Sequence, residues 1–498
     1  MSETESPGRG LGPRAAEGLV FFASGAVLVL EILSLRLIAP YIGLSLQTST
    51  AVIGFALAAI ATGAWAGGKF ADQASPRALL GPVVLAAGFL VLFVGPIVRW
   101  TGENVQGGDV TVVLLMAAVA VFAPAALLSA VTPMVVKLRL ATLSETGTVV
   151  GRLSGIATLG ALVATFGTGF LLVAALPTSV ILLVLGVSLI VLGSALVVRL
   201  RAATVAGILT LALVGGAAAV AASAPCDVET AYHCARIVRD PQRETGRILQ
   251  LDTLSHSYVD LTDPTFLAFS YIRGMASVID AALPDARLRA LHLGGGGVTL
   301  PRYIAATRPG SRSLVLEIDR GVVELDKERL GLREGDGLEV RVQDARIGLA
   351  EEPTASRELV VGDAFGGLAV PWHLTTRETV AGIRRVLVPE GLYLVNVIDY
   401  PPLEFARAEV ATIAELFPHV AVIARPLVLE GADGGNLVIV ASDSPLPTED
   451  IAGELAERVA ELELLSDPAA VAAFIGDARV LTDDRAPVDQ LITHYPER

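Results

Sequence analysis

Cysteine is nearly absent from this chain: 498 residues hold only Cys226 and Cys234. Two thiols eight positions apart leave room for one internal disulfide at most. Charge is also scarce, at 18% of residues, and aromatics contribute only 5%. With 53% hydrophobic residues and a mean hydropathy of +0.63, that scarcity excludes an ordinary soluble globular protein. Cations are the rarer sign, 37 against 51 acids, and the imbalance is uneven: residues 1–223 carry a net +3 and residues 224–498 a net −17. Phosphate binding needs clustered cations, so the acidic half excludes a nucleic-acid partner. Two regions of different physical class follow.

What the first region has in abundance is uninterrupted apolar sequence. Residues 1–17 are polar and predicted to be disordered. Beyond them, apolar runs long enough to cross the hydrocarbon core are predicted at 18–38, 50–68, 79–98, 110–131, 149–175, 179–198 and 202–223, about seven helices over 18–223. The first run continues into others and does not end at a small-residue cleavage site, so no cleavable signal is expected. Positive charge marks alternate loops: Arg9 and Arg14, Lys69 and Arg77, Lys137 and Arg139, then Arg199 and Arg201. By the positive-inside rule the N-terminus is cytoplasmic, and seven spans put the C-terminal half outside the cell membrane. Glu31 lies well inside the first span, where a carboxylate normally faces a cavity or partner. Gly151 and Gly155 offer a small-residue face for helix packing.

Residues 224–246 read as a linker holding the cysteine pair, and residues 247–498 as an αβ domain. An oxidising compartment would let Cys226 and Cys234 pair; unrelated thiols, or a two-ligand metal fragment with His233, are the alternatives. A hairpin is predicted from 247–252 and 257–261, then a helix over 264–283. Strands follow at 288–293, 313–318, 338–342, 358–362 and 391–397, with helices at 300–307, 321–329 and 375–387. That alternation implies a largely parallel sheet whose ligands bind at the strands' carboxyl ends. At those ends stand Gly294, Gly295, Gly296 and Gly297, then Glu317 and Asp319, Asp344 and Ala345, Asp363, and Asp399. A glycine turn lets backbone N–H groups approach a ligand, and an acid at the next strand's tip meets ribose hydroxyls. The unit is therefore a candidate nucleoside binder.

Leu291 to Val298 with Glu317, the run Leu251-Asp252-Thr253-Leu254-Ser255-His256, and the tail Leu481 to Val488 resemble the spermidine synthase (polyamine aminopropyltransferase) family, in its membrane-fused, divergent branch with an N-terminal multi-pass bundle. The segment Gly67-Gly68-Lys69-Phe70-Ala71-Asp72 resembles a loop of major facilitator transporters. The family resemblance implies an α-helical transmembrane bundle followed by a class I S-adenosylmethionine-methyltransferase-like α/β domain. It implies a transferase using an S-adenosylmethionine-type nucleoside, with decarboxylated S-adenosylmethionine as co-substrate, a polyamine-type acceptor, no metal, and a homo-oligomer in a lipid bilayer. Carried over residue by residue, it places the glycine run, Glu317, Asp319, Asp344 and Ala345 around the nucleoside, and Tyr271 and Asp363 around the acceptor. His256 falls at the family's ligand-contacting glutamine.

Two acids of the family pattern are replaced. Gly297 stands at the aspartate of the glycine motif and Gly366 at the general base, so Asp363, Asp399 and His256 are the remaining candidates for proton acceptance. Three readings follow: a membrane-anchored transferase of altered activity, a non-catalytic extracytoplasmic ligand-binding domain coupled to a transporter-like bundle, and a scaffold without a small ligand.

Overall fold

The computed structural model describes residues 11–42, 46–104, 110–140, 146–200, 226–252, 254–284, 287–335, 337–366 and 370–493. The chain divides into two compact units, Met1–Pro225 and Cys226–Arg498.

In the first unit, helices α1 (Pro13–Ile42), α2 (Leu46–Gln73), α3 (Pro76–Asn104), α4 (Val110–Arg139), α5 (Thr146–Gly167) and α6 (Thr178–Leu200) are each long and apolar enough to cross a membrane. A π-helical stretch, Thr168–Leu172, extends α5. The seventh span expected at 202–223 lies outside the described residues, as do residues 1–10 of the expected tail. From Pro13 onward the tail is already helix, because Ala16, Leu19 and Val20 begin the buried apolar face of α1.

Helix contact here rests on small residues, as expected where lipid is as apolar as any side chain. Among the described residues a Cβ on Gly151 or Gly155 would meet nothing within 4 Å, whereas one on Gly63 would lie 2.1 Å from the Ala126 carbonyl oxygen of α4. A Cβ on Gly160 of α5 would lie as close to the Phe21 carbonyl oxygen of α1, at 2.2 Å. Spacing alone does not reveal which face of a helix meets a neighbour. Near the helix ends, Lys137 Nζ of α4 pairs with Asp72 of α2 at 2.5 Å.

The second unit begins with a four-stranded antiparallel sheet: β1 (Val228–Glu229), β2 (Cys234–Arg239), β3 (Gly246–Leu251) and β4 (Leu254–Asp260). The segment expected to be a linker thus supplies two strands, whose Ala235 packs with Leu249 in a small core. An eight-stranded sheet follows in the order β12-β10-β11-β9-β8-β5-β6-β7. Its parallel half is β5 (Arg289–Leu293), β6 (Arg312–Glu317), β7 (Leu338–Val342), β8 (Arg357–Gly362) and β9 (Leu387–Asp399). The antiparallel half adds β10 (His419–Ala424), β11 (Gly435–Ser442) and β12 (Glu463–Leu465).

Period-two alternation along the strands feeds two cores, one on each face. Leu291, Leu293, Leu314 and Val360 pack with Ile383 of α11 (Arg377–Val386) and Phe405 of α12 (Glu404–Leu416). Ala290, Leu359 and Val361 face the other way, against Met275 and Ile279 of α7 (Ser270–Ala282) and Ile304 of α8 (Thr299–Thr307). With both faces covered, the free edge of chemistry is the row of carboxyl-end strand tips.

Candidate functional site

The tip of β5 turns sharply. Gly294 has φ +97°, and a Cβ there would lie 2.4 Å from the Asp363 carbonyl oxygen. No side chain fits, so glycine is required at that point. The turn brings the N–H groups of Gly295 and Gly296 onto Glu317 Oε2 at 2.9 and 3.3 Å, while Asp319 N–H donates to Oε1 at 2.9 Å. Three backbone donors hold the carboxylate at the tip of β6, and its remaining lone-pair positions stay available to a ligand. Gly297 N–H turns instead to Ser257 Oγ of β4, at 2.9 Å. Val298 closes the turn in the left-handed region, φ 49°, where a β-branched residue is strained.

A cavity of about 880 Å³ opens over these tips, with Gly294, Gly295, Gly296, Glu317, Asp344, Ala345, Asp363, Tyr271 and His256 in its wall. Gly297, Asp319 and Asp399 stand outside that wall. Asp319 caps α9 (Arg320–Arg329), accepting from Gly321 N–H at 2.9 Å, and its other oxygen accepts from Thr230 Oγ1. The expectation that Asp399 reaches the site gives way to a structural role: fully buried, it accepts from the N–H groups of Tyr400, Ala406 and Thr493 at 2.9–3.0 Å. Burial there holds its carboxyl above the ordinary range against those hydrogen bonds.

Asp344 caps α10 (Ala345–Glu351) through Arg346 and Ile347 N–H, and its second oxygen meets His373 Nε2 at 3.2 Å. Asp363, just beyond β8, is held on both sides: Asn396 Nδ2 donates to Oδ1 at 2.9 Å and Tyr271 Oη to Oδ2 at 3.3 Å. Burial pushes its carboxyl up to about 6, although both hydrogen bonds favour the charged form. Burial and the Asp363 charge keep the Tyr271 hydroxyl protonated far above the usual phenol range.

The third wall comes from the antiparallel sheet. Burial, aided by the neighbouring His233, lowers the His256 imidazole to about 4, and its buried Nε2 has no hydrogen-bond partner among the described residues. His233 lies with its ring centroid 6.2 Å from that of His256. Burial pulls its own value down, but the Asp252 carboxylate at 3.0 Å, with the charges of Asp319 and Glu317, raises it overall. His233 precedes Cys234, which forms a disulfide with Cys226. Among the described residues no group of three metal-ligating side chains comes together, which leaves His233 to the cavity wall.

Sequence reasoning missed the far end of the cavity, where Asn396, Asn436, Arg273 and Glu461 also line it. Asn436 Nδ2 donates to Asn396 Oδ1 at 2.9 Å, and Arg273 pairs with Glu461 at 2.7 Å. One signal was present: Asn396 interrupts the apolar run of β9, and a polar residue inside a doubly covered strand needs a reason.

No family model matches this chain. Among characterised proteins it is similar to the polyamine aminopropyltransferase of Vibrio vulnificus, 26% identical over 235 residues, covering 45% of this chain and 75% of that one. It is also similar to that of Chromobacterium violaceum, 29% identical over 157 residues, covering 31% and 59%. Among solved structures, a probable spermidine synthase from Corynebacterium glutamicum shares 31% identity over 51% of this chain and 95% of its own, with a TM-score of 0.49.

Proposed function

We propose that this chain, whose second unit is spermidine synthase-like and whose first carries six apolar candidate spans among the described residues, is a membrane-anchored transferase moving an aminopropyl or related group from an S-adenosyl donor to an amine. The observation that carries the reading is the joint placement of the Glu317-bound glycine turn and the doubly held Asp363 in one cavity. The cavity volume, about 880 Å³, suits a nucleoside with a second small molecule.

Glu317 would hold the ribose hydroxyls with its free lone pairs, and Asp344 the adenine edge. The acceptor nitrogen attacks the carbon next to the donor's sulfonium. A carbon–nitrogen bond forms as the carbon–sulfur bond breaks, its electron pair stays on sulfur, and methylthioadenosine leaves. Asp363 takes the proton lost from nitrogen, a task suited to a carboxylate whose value lies near 6. With glycine at 297 and 366, a positioned base of the family pattern is gone, an omission that typically costs 10²–10⁴-fold in rate. A reduced or altered activity follows. The disulfide fits a domain on the outer side of the cell membrane, with the N-terminus in the cytoplasm.

The full chain in lipid nanodiscs tests this. Calorimetry should detect methylthioadenosine binding, and incubation with decarboxylated S-adenosylmethionine and an amine should release methylthioadenosine. Binding of neither nucleoside would end the proposal. A second reading, a ligand-sensing domain coupled to a transporting bundle, is favoured by the Lys137–Asp72 pair, because Asp72 ends the transporter-like segment Gly67–Asp72, which forms the last turns of α2 and not the expected loop. Nucleoside binding without turnover, together with solute flux that depends on Glu31, would support it.

A further inference from the structure

The cavity runs along the strand tips, and its two halves differ in charge. Glu317 and Asp344 stand at the tips of β6 and β7, at one end of the row. Across β5 lie Asp363 beyond β8, Asn396 on β9 and Asn436 on β11, opposite Tyr271 and Arg273 of α7. If the nucleoside occupies the glycine-turn half, as the transferase reading requires, the acceptor meets the other.

That half is built from amides and a neutralised acid. Among the described residues that line it, Asp363 is the carboxylate without a cationic partner, since Glu461 is bound by Arg273 at 2.7 Å. Asn436 and Asn396 form a relay ending on Asp363, with Nδ2 of each committed to the next oxygen along. Asn436 Oδ1 remains as a neutral acceptor, and the Arg273–Glu461 pair, neutral as a whole, leaves no free carboxylate there to hold a second cation. An α,ω-diamine brings two ammonium groups, and two unit charges several ångströms apart in a partly dry site interact strongly enough to shift affinity by tenfold or more.

We infer that the acceptor is a monoamine whose other end is a neutral hydrogen-bonding group, an amino alcohol in chemical class, and not a diamine. One ammonium is seated near Asp363, and a hydroxyl donates to Asn436 Oδ1 at the far end of the relay. This deepens the transferase reading and rests on its nucleoside site.

Two compounds of equal length separate the possibilities: 4-amino-1-butanol and 1,4-diaminobutane. Each is titrated into the full chain in nanodiscs at pH 7.5 and low salt, with methylthioadenosine saturating. The expected result is at least tenfold tighter binding of the amino alcohol. In Arg273→Gln, which frees the Glu461 carboxylate, the preference should shrink to within about threefold. Diamine binding equal to or tighter than the amino alcohol overturns the acceptor class while leaving the nucleoside site intact. An unchanged ratio in Arg273→Gln overturns the part given to the Arg273–Glu461 pair. If methylthioadenosine itself does not bind, the transferase reading and this inference fall together.

Discussion

Asn396 donates its side-chain N–H to Asp363 Oδ1 at 2.9 Å, tying the tip of β9 to the acid beyond β8. The bond favours the charged carboxylate while burial opposes it, and the balance sits at about 6. Transfer should therefore rise with pH through about 6 and level off above. In Asn396→Leu that midpoint should move up by about 1 unit, the worth of one charge-assisted hydrogen bond. Asp363→Asn should cost 10²–10⁴-fold in turnover while methylthioadenosine still binds. A pH–rate profile with the same midpoint in Asn396→Leu would remove Asp363 as proton acceptor.

Glu317 gathers three backbone N–H groups, so its loss acts on the turn as well as on the ligand. Glu317→Ala should abolish detectable methylthioadenosine binding and lower the thermal midpoint. Glu317→Gln keeps the shape but replaces one acceptor oxygen with a donor. It should retain most of the stability and lose affinity by about 10–100-fold, roughly 1.4–2.8 kcal/mol. Calorimetry and thermal denaturation, run side by side, separate the two effects.

The Cys226–Cys234 disulfide closes a loop of sequence separation 8, which carries His233 into the cavity wall. Chain-entropy arguments give such a short loop about 2.5 kcal/mol. Cys226→Ala/Cys234→Ala should lower the melting temperature of the second unit and loosen methylthioadenosine binding through His233. Thiol labelling in intact cells checks the compartment: blocked cysteines together with an outward C-terminal reporter are expected. Free thiols with an inward reporter would return the domain to the cytosol.

Two imidazoles are kept neutral by burial, His256 at about 4 and His292 at about 3, the latter helped by the Arg357 charge. Each takes up its proton in the unfolded chain near 6.5. Their folded values are depressed, so acidification below 6.5 favours unfolding, and the effect grows until their folded values are reached. Asp363 works in the opposite direction, as do the buried Asp326, Asp399 and Glu409, since their raised values favour the folded state at acid pH. Removing one imidazole should therefore raise the thermal midpoint at pH 4 relative to that at pH 7, and His292→Phe is the variant that checks it. The same pH dependence in the variant and the parent would remove His292 from this balance.

In the bundle, the Gly63 and Gly160 sites leave no room for a side chain against the neighbouring backbone. Gly63→Val or Gly160→Val should force helices apart and reduce yield in detergent extraction. Size-exclusion chromatography of the extracted chain, with the parent alongside, checks both variants.

The parallel half of the sheet was legible in the sequence because local signals agreed: β5 to β9 alternate with helices, and the Gly294 turn precedes Glu317 by the expected distance. Asp363 and Asp399 look alike in sequence, each an acid at a strand end. Only tertiary contact separates them, since Asp399 is consumed by the N–H groups of its neighbour Tyr400, of Ala406 in α12 and of Thr493 in the C-terminal segment. The same holds for the glycines. Gly151–Gly155 and Gly63–Gly67 share one spacing, but among the described residues it is the second pair that is pressed against a neighbouring helix. Asn436 was invisible because its role depends on β11 lying antiparallel beside β9, a pairing no local pattern announces.

That pairing splits the cleft along the chain. Gly294 to Gly296, Glu317, Asp344 and Ala345 come from the chain up to residue 345, whereas Asp363, Asn396 and Asn436 come from later segments reaching to β11, faced by Tyr271 and Arg273 of α7. Substitutions in the later segments therefore reshape one end of the cleft and leave the glycine turn at the other untouched.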